Sequence, residues 1–294
     1  MMLIRNISFL MHNLYQSLSP QYPSVKISNY PYLWGMEISF SIPNHKVRFI
    51  MKNNLLLVLM TGFSSLVAAQ PAEPLALQKS FLLSDFVRAG VSLKHEDYLG
   101  KKAIKMQMPS EKFQDPAKEV LTDRTFMAWL PVDFHNGTIE ADIASTLAHD
   151  APAYARGFLG LSFRIDKKER FENIYLRPTN SQADDQVRRN HSVQYFAYPD
   201  YTFERLRKET PEKYETYADI ATGRWIHMKI TVSGQQARLY LDHSPKPALI
   251  VNDLKLGSEA RGGVGVWIES GTIAYFKDLK ISSELPDAHP QKVE

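Results

Sequence analysis

Residues 78–283 alternate apolar and polar side chains along short segments, and this alternation is the feature that most limits the possible fold. In segment 225–232 the even positions, from Ile226 to Val232, are all apolar, while His227 and Lys229 stand between them. A period of two places successive side chains on opposite faces of a β-strand. Each such segment is therefore predicted to be a strand with one face buried in a core.

Eleven segments have this strand character, and turn residues separate them. They are 90–94, 103–108, 125–130, 137–143, 157–165, 171–177, 192–198, 225–232, 237–242, 263–268 and 273–281. Because no amphipathic helix stands between them, the predicted fold class is all-β, a two-sheet antiparallel β-sandwich. The charged stretch 201–217, which contains Pro211, is interpreted as a long insertion with a helical turn. Insertions of this size are often functional.

Residues 51–69 have the pattern of a signal peptide. Lys52 is followed by an apolar run over 55–60, and the small residues Ala68 and Ala69 close the segment. The run is shorter than the roughly 20 residues that a membrane-spanning helix needs. We therefore expect cleavage after Ala69, a periplasmic or secreted protein, and no transmembrane segment afterwards. The chain has no cysteine, which excludes a lipoprotein, disulfides and thiolate metal sites.

The leader divides the chain into parts of different character. Residues 1–50 show no sustained hydrophobic period, and we interpret them either as upstream sequence translated ahead of the true start or as a disordered extension. Residues 70–294 are predicted to form a single domain. Of 35 basic and 32 acidic residues, five and one lie in 1–69, which leaves 30 and 31 for the domain. A nucleic-acid-binding domain normally has a basic excess, so nucleic acid is not an expected partner.

Three segments of the predicted domain have a pattern found together in one superfamily. They are the strand 137–143, the tryptophan-led hairpin 225–242 with its Ser233-Gly234 turn, and the strands 263–268 and 271–281. Together they resemble the concanavalin A-like lectin/glucanase superfamily, in particular laminin-G-like and 3-keto-disaccharide-hydrolase-type domains of secreted bacterial proteins. The resemblance implies a curved jelly roll that binds saccharide on its concave face or rim. The superfamily includes hydrolases, lyases, lectins and adhesion modules, so the fold does not choose among them.

The densest polar stretch, 171–195, supplies the candidate binding residues. Asn173, Tyr175 and Arg177 alternate with apolar residues, and pairing of neighbouring strands would bring Arg164 and Gln194 to the same side, here called the polar face. Aromatic rings stack on sugars, amides bond hydroxyls, and a guanidinium offers a fork for a carboxylate or sulfate. The predicted ligand-binding residues are Arg164, Asn173, Tyr175, Arg177, Asn180, Arg188, Gln194, Tyr198 and Tyr201.

Other interpretations of the polar face remain open. It could be a solvated sheet face with ordinary cross-strand pairs, such as Arg177 with Asp184 or Asp185. The insertion 201–217 could also cover it. Residues 180–191 are expected to form a loop at the sheet edge, from which Arg188, Arg189 and His191 either reach over the face or neutralise the two aspartates.

Catalytic candidates are fewer. His191 is the first acid/base candidate because its ordinary pKa lies near neutrality. Glu140 and Asp142 begin the carboxylate pattern of jelly-roll glucanases, but Ala144 and Ser145 occupy the places where a second acid would stand. Glu140 and Asp142 are therefore interpreted as binding or structural residues. No metal site and no cofactor are predicted, and calcium is kept only as an alternative, since no regular spacing of acids supports it.

These observations favour an exported, lectin-like protein that binds a carbohydrate ligand on its concave face. The first alternative is a hydrolase or lyase that acts on a glycan, with His191 or a tyrosine as the proton-transfer group. The second alternative is a structural adhesion module. The sequence does not specify the glycan or the oligomeric state.

Overall fold

The computed structural model describes residues 26–29, 35–42, 45–52, 76–77 and 81–283. The chain divides into two compact units, Met1–Ala72 and Glu73–Glu294. In the first unit, β1 (Lys26–Asn29), β2 (Gly35–Ile42) and β3 (His45–Lys52) form a three-stranded antiparallel sheet. Apart from Met51 and Lys52, which end β3, the predicted signal peptide lies outside the described residues. Cleavage after Ala69 and the interpretation of 1–50 stay predictions.

The second unit contains fifteen strands among its described residues. They are β4 (Ala76–Leu77), β5 (Val87–Ala89), β6 (Ser92–Tyr98), β7 (Lys101–Gln107), β8 (Met127–Phe134), β9 (Gly137–Leu147), β10 (Leu159–Ile165), β11 (Phe171–Leu176), β12 (Val193–Tyr198), β13 (Glu215–Thr216), β14 (Ile226–Ser233), β15 (Gln236–Leu241), β16 (Leu249–Val251), β17 (Gly262–Ile268) and β18 (Thr272–Ser283).

These strands form two antiparallel sheets. One sheet has seven strands in the order β13-β12-β11-β10-β17-β8-β5. The other has the order β16-β15-β14-β9-β18-β7-β6, with β4 paired to the far end of β18. The predicted all-β sandwich is therefore confirmed, and each of the eleven predicted strands overlaps an observed one. The strands without a prediction are β4, β5, β13 and β16, which are only two or three residues long.

The core lies between the sheets and follows from the alternation in the sequence. In one sheet Ile139 of β9 pairs with Ile230 of β14, and in the other Leu161 of β10 pairs with Ile174 of β11. All four side chains are fully buried within one apolar cluster. Burying a side chain of this size stabilises a protein by about 1.5–3 kcal/mol, so these pairs hold the two sheets together.

Three short helices interrupt the strands on one side of the seven-stranded sheet. They are α1 (Pro178–Ser181), α2 (Gln186–Asn190) and α3 (Phe203–Glu209). The expectation of a loop over 180–191 is wrong in part, because α2 forms there and the Asp185 carboxylate caps it by accepting from Arg188 N at 2.8 Å. The expected helical turn in the insertion 201–217 is confirmed by α3.

The polar face is covered, which decides where a ligand can bind. In β11 every residue is buried, including Asn173 and Tyr175 on the polar face. The Arg177 guanidinium, just beyond β11, lies 5.1 Å from the ring of Phe203 in α3, and Leu206 of the same helix is buried. The insertion 201–217 therefore lies over part of the polar face, which was one of the alternative interpretations of the sequence. A pocket remains beside the insertion.

Candidate functional site

The floor of the pocket is formed by two aromatic rings that meet across a glycine. Gly160 of β10 pairs with Tyr175 on one side and with Trp267 of β17 on the other. The two rings approach with their centroids 4.8 Å apart. A Cβ atom at Gly160 would lie 2.5 Å from the carbonyl oxygen of Ile174 and from the Cβ of Tyr175, so the position has no room for a side chain.

The pocket has a volume of about 380 Å³ and walls from several separate segments. Gln114 and residues 121–123 form one wall, residues from 154–158 a second and residues from 180–191 a third, and α3 contributes Phe203 and Arg207. Small-ligand sites in proteins measure about 300–1,000 Å³ and combine apolar walls with a few polar groups. The size and lining of this pocket suit one small ligand.

Arg177 places a guanidinium within the pocket wall. Its side chain is 5 % exposed, stacks over Tyr175 at 4.9 Å and donates a hydrogen bond to the Tyr175 hydroxyl. Burial raises the pKa of Tyr175 well above its ordinary value, so the hydroxyl stays protonated at neutral pH. The alternative interpretation, a cross-strand ion pair of Arg177 with Asp184 or Asp185, does not apply: among residues 81–283, neither carboxylate lies within 4 Å of the Arg177 guanidinium.

Asp123 lies in another wall of the pocket, in a stretch where no sequence pattern indicates a functional residue. It is 3 % exposed and accepts a hydrogen bond from Phe203 N at 2.7 Å. Burial raises the pKa of this carboxyl to about 7, although the backbone hydrogen bond and Arg177 act in the opposite direction. A carboxyl that changes protonation near neutral pH can accept or donate a proton, which makes Asp123 the strongest acid/base candidate in the pocket.

Two further arginines line the pocket. Arg156 donates from Nη1 to the carbonyl oxygens of Ala153 and Ala155, each at 2.8 Å. Burial and the nearby guanidiniums of Arg188 and Arg177 lower the pKa of Arg156. Arg188 donates from Nε to Asn180 Oδ1 at 3.1 Å. The site is therefore rich in positive charge.

His191 belongs to a small charged network at the edge of the pocket. Its Nδ1 lies 2.7 Å from Glu215 Oε2, and the same oxygen accepts from Arg207 Nη2 at 2.8 Å. Burial, followed by the charge of Arg207, lowers the pKa of His191, although Glu215 acts against this. The structure thus brings His191 and a carboxylate together beside the polar face.

Of the predicted ligand-binding residues, Tyr175, Arg177, Asn180 and Arg188 line the pocket together. The expectation that Arg164 shares the polar face is wrong. Arg164 has a φ of 56° at an irregularity in β10, and its guanidinium donates to four acceptors outside the pocket. These acceptors are the carbonyl oxygens of His135, Gly234 and Gly257 and the side-chain oxygen of Asn136.

The other predicted binding residues lie outside the pocket lining. Asn173 and Gln194 are buried on the polar face, where Asn173 accepts from Ser162 and Gln194 donates to the backbone of Tyr195 and Tyr214. Tyr198 stacks on Phe171 with centroids 5.4 Å apart. Tyr201 forms a backbone bridge to Ala197, and its ring lies under the guanidinium of Arg205. Each of these side chains is engaged by the protein itself.

Glu140 and Asp142 lie on a different sheet, on the surface of β9. Asp142 contacts His227 Nδ1 at 2.9 Å and Lys277 Nζ at 2.6 Å, and Glu140 lies 3.6 Å from Lys229 Nζ. Partial burial would raise the pKa of Asp142, but the hydrogen bonds from Lys277 and His227 outweigh it and lower the pKa. The arrangement is an ion-pair cluster that accounts for both carboxylates without catalysis.

The pocket also contains residues that the sequence did not reveal. Asp123 and Arg156 stand in stretches without a strand period, so no pattern pointed to them. Trp267 belongs to the predicted strand 263–268 and also lines the pocket floor. Its pairing with Gly160 is set by the sheet register, which the sequence alone does not give.

Within the described residues, no group of three or more His, Asp or Glu side chains has the arrangement of a metal site. In that same part of the chain, none of the helices has the length and apolar character needed to cross a membrane.

The chain matches no protein-family model and no curated protein. The solved structures it resembles are galectin-like and concanavalin A-like β-sandwich proteins at low sequence identity. The carbohydrate-binding module CBM66 from Bacillus subtilis is 17 % identical, with a TM-score of 0.40, over 66 % of this chain and 97 % of that one. A β-glucanase from Bacillus licheniformis is 10 % identical, with a TM-score of 0.40, over 74 % and 100 %. A galectin from Caenorhabditis elegans is 10 % identical, with a TM-score of 0.31, over 55 % and 94 %. At these identities the likeness concerns the fold alone.

Proposed function

We propose that this protein recognises a carbohydrate, and that the sugar binds in the pocket over the seven-stranded sheet. The observation that supports this most is the combination of aromatic rings and planar donors around one cavity of about 380 Å³. A sugar ring has an apolar C–H side and a rim of hydroxyl groups. It needs rings to pack against and donors or acceptors for the hydroxyls, and this pocket supplies both.

The walls supply these contacts from residues already held in place. Phe158 and Phe203 add two aromatic rings to the pocket lining, beside the floor of Tyr175 and Trp267. The guanidiniums of the arginines in the lining provide forked hydrogen-bond donors. Arg177 is fixed by two rings and by the Tyr175 hydroxyl, so little conformational entropy is lost when it bonds a ligand. The pocket thus differs from an ordinary solvated sheet face, which a structural adhesion module would show.

A second candidate function is cleavage of a glycan in the same pocket. It is favoured by Asp123, whose pKa of about 7 suits proton transfer, and by the His191–Glu215 pair at the pocket edge. In an elimination, the Asp123 carboxylate would remove the proton from the carbon next to a sugar carboxylate, and a guanidinium would stabilise the negative charge on that carboxylate. The electron pair of the broken C–H bond would form a C=C bond while the glycosidic oxygen leaves and takes a proton from water. Either activity would operate in the periplasm or outside the cell if residues 51–69 act as the predicted leader.

The test is a glycan screen with the full chain, in which both retention of the protein and release of products are measured. Val187 lines the pocket mouth and is 68 % exposed, so Val187→Trp narrows the mouth without disturbing the core. Val120, 80 % exposed and outside the pocket lining, provides the matched control Val120→Trp. We expect the wild type and the control to be retained by a glycan and the Val187 variant to lose retention.

Release of shorter products by the wild type would move the conclusion from recognition to cleavage, with Asp123→Asn as the next variant. Equal retention of all three proteins would place the site elsewhere. Absence of retention by any glycan, in a protein shown to be folded by circular dichroism, would refute the proposal.

A further inference from the structure

We propose that the sugar bound in this pocket carries an anionic group, a carboxylate or a sulfate ester, and that Arg156, Arg177 and Arg188 hold it. This inference rests on the proposed function and specifies the chemical class of its ligand. It follows from the balance of charges around the cavity.

The three arginines have no carboxylate partner in the structure. Among residues 81–283, no Asp or Glu oxygen lies within 4 Å of a guanidinium nitrogen of Arg156, Arg177 or Arg188. Their hydrogen bonds go to backbone carbonyls, an amide oxygen and a tyrosine hydroxyl, which are all neutral. Neutral partners satisfy some donors but leave the positive charges without compensation.

Two neighbouring arginines, Arg124 and Arg207, differ from these three because each has a carboxylate partner. Arg124 forms a two-point contact with Glu269, from Nη2 at 2.5 Å and from Nε at 3.2 Å. Arg207 is similarly paired with Glu215. The protein therefore neutralises two arginines at the pocket wall and leaves three others without a counter-charge.

Leaving the charges of the two less exposed arginines, Arg177 and Arg156, unpaired is costly. Arg177 is almost fully buried, and taking a charge out of water is unfavourable unless an opposite charge is near. Arg156 is partly buried, and the positive charges of Arg177 and Arg188 act on it as well. The rings of Tyr175 and Phe203 offset part of the cost for Arg177 through cation–π contacts, but they cannot neutralise it. An anion placed among the three arginines would remove the repulsion.

The acids of the pocket do not cancel this positive charge. Glu269 is paired with Arg124, and Asp185 is exposed and caps α2. Asp123 is partly protonated at neutral pH because of its burial. Carboxylate and sulfate oxygens match the geometry of a guanidinium fork, and such charge-assisted contacts are stronger than those to neutral hydroxyls.

The experiment uses the full chain and pairs of saccharides that differ only in charge. Oligogalacturonates are compared with their methyl esters, and sulfated carrageenan oligosaccharides, whose backbone contains only neutral sugars, with their desulfated forms, by calorimetry at low and high salt. We expect only charged members to bind, with affinity that falls as salt rises. The carboxylate and sulfate arms identify which anionic group the pocket takes.

The variants Arg156→Gln and Arg188→Gln test the cluster without altering Arg177, which is buried and contributes to the fold. Each is expected to weaken binding of the charged ligand about tenfold or more, while lysine at the same position retains part of the affinity. Arg261→Gln is the control, since Arg261 is exposed and pairs with Asp133 away from the pocket. Loss of the positive charge at position 261 should not affect binding of the charged ligand in the pocket.

Two outcomes would overturn the inference in distinguishable ways. If neutral members bind as tightly as charged members, and the Arg156 and Arg188 variants bind normally, the anionic ligand is refuted while carbohydrate recognition stands. If neither class of saccharide binds to the folded protein, the proposed function is refuted together with this inference.

Discussion

Replacing Asp123 by asparagine is expected to stabilise the protein above neutral pH and to have little effect near pH 4. The Asp123 carboxyl is buried, and its pKa in the folded protein is about 7, against an ordinary value of 3.8. The folded state therefore binds the proton more tightly than the unfolded state does. Stability linked to this proton is fully present below about pH 4 and is lost as the pH rises through 7.

The size of the effect follows from the difference between these two pKa values. A difference of about 3 pH units at 1.36 kcal/mol each corresponds to about 4 kcal/mol of lost stability once the pH exceeds 7. Asparagine resembles the protonated acid, since it is neutral and its oxygen can still accept from Phe203 N. The variant should thus be up to about 4 kcal/mol more stable than the wild type at pH 8, and about equal to it near pH 4.

The assay is urea denaturation of the wild type and the Asp123→Asn variant from pH 4 to pH 8, with unfolding monitored by circular dichroism. Because all other titrating groups are shared, the difference between the two curves isolates Asp123. Asp97→Asn, at an exposed carboxylate, serves as the control and should show a small difference throughout. A difference for Asp123→Asn that does not grow with pH would show that the carboxyl is not held protonated by burial, and the acid/base role would lose its physical basis.

Two further predictions concern the frame around the pocket. Arg164→Met should reduce the free energy of unfolding by about 3 kcal/mol or more, because it removes four hydrogen bonds from a buried guanidinium to partly buried acceptors, whereas Arg261→Met should change it little. Urea denaturation measures both, and equal small effects would contradict the role given to Arg164. Gly160→Ala should cost several kcal/mol, since its Cβ would lie 2.5 Å from the Ile174 carbonyl oxygen, while Gly223→Ala should cost only about 1 kcal/mol for its positive φ. Similar thermal midpoints for the two alanine variants would refute this account of the pocket floor.

Most of the sandwich could be predicted from the sequence, and the exceptions have a common cause. Segment 225–232 alternates over eight residues, which is long enough to distinguish a strand from a helix. β5 and β16 have three residues each, which is too few to show an alternation. They form because a longer neighbouring strand, β8 or β15, offers backbone groups for pairing. The fold class therefore depended on the long strands, and three of the four edge strands, β5, β13 and β16, were missed.

The candidate site was predicted only where it follows the end of one strand. Tyr175, Arg177 and Asn180 come from β11 and α1, so their proximity follows from the chain itself. Arg164 was misplaced because the irregularity after Ser162 breaks the alternation on which the prediction depended. Asp123 could not be predicted, since only the tertiary structure brings that irregular segment against Phe203.

The contact between Tyr175 and Trp267 across Gly160 has a consequence for how the pocket could change. The two rings come from β11 and β17, which are not adjacent, because β10 lies between them. They can meet only because Gly160 of β10 has no side chain. The depth of the cavity is therefore set by two rings held on the strands of the sheet, whereas its rim is built from side chains of loops and short helices. Substitutions at the rim can alter which ligand enters while the platform beneath stays the same, so selectivity and foldability can vary independently in this protein.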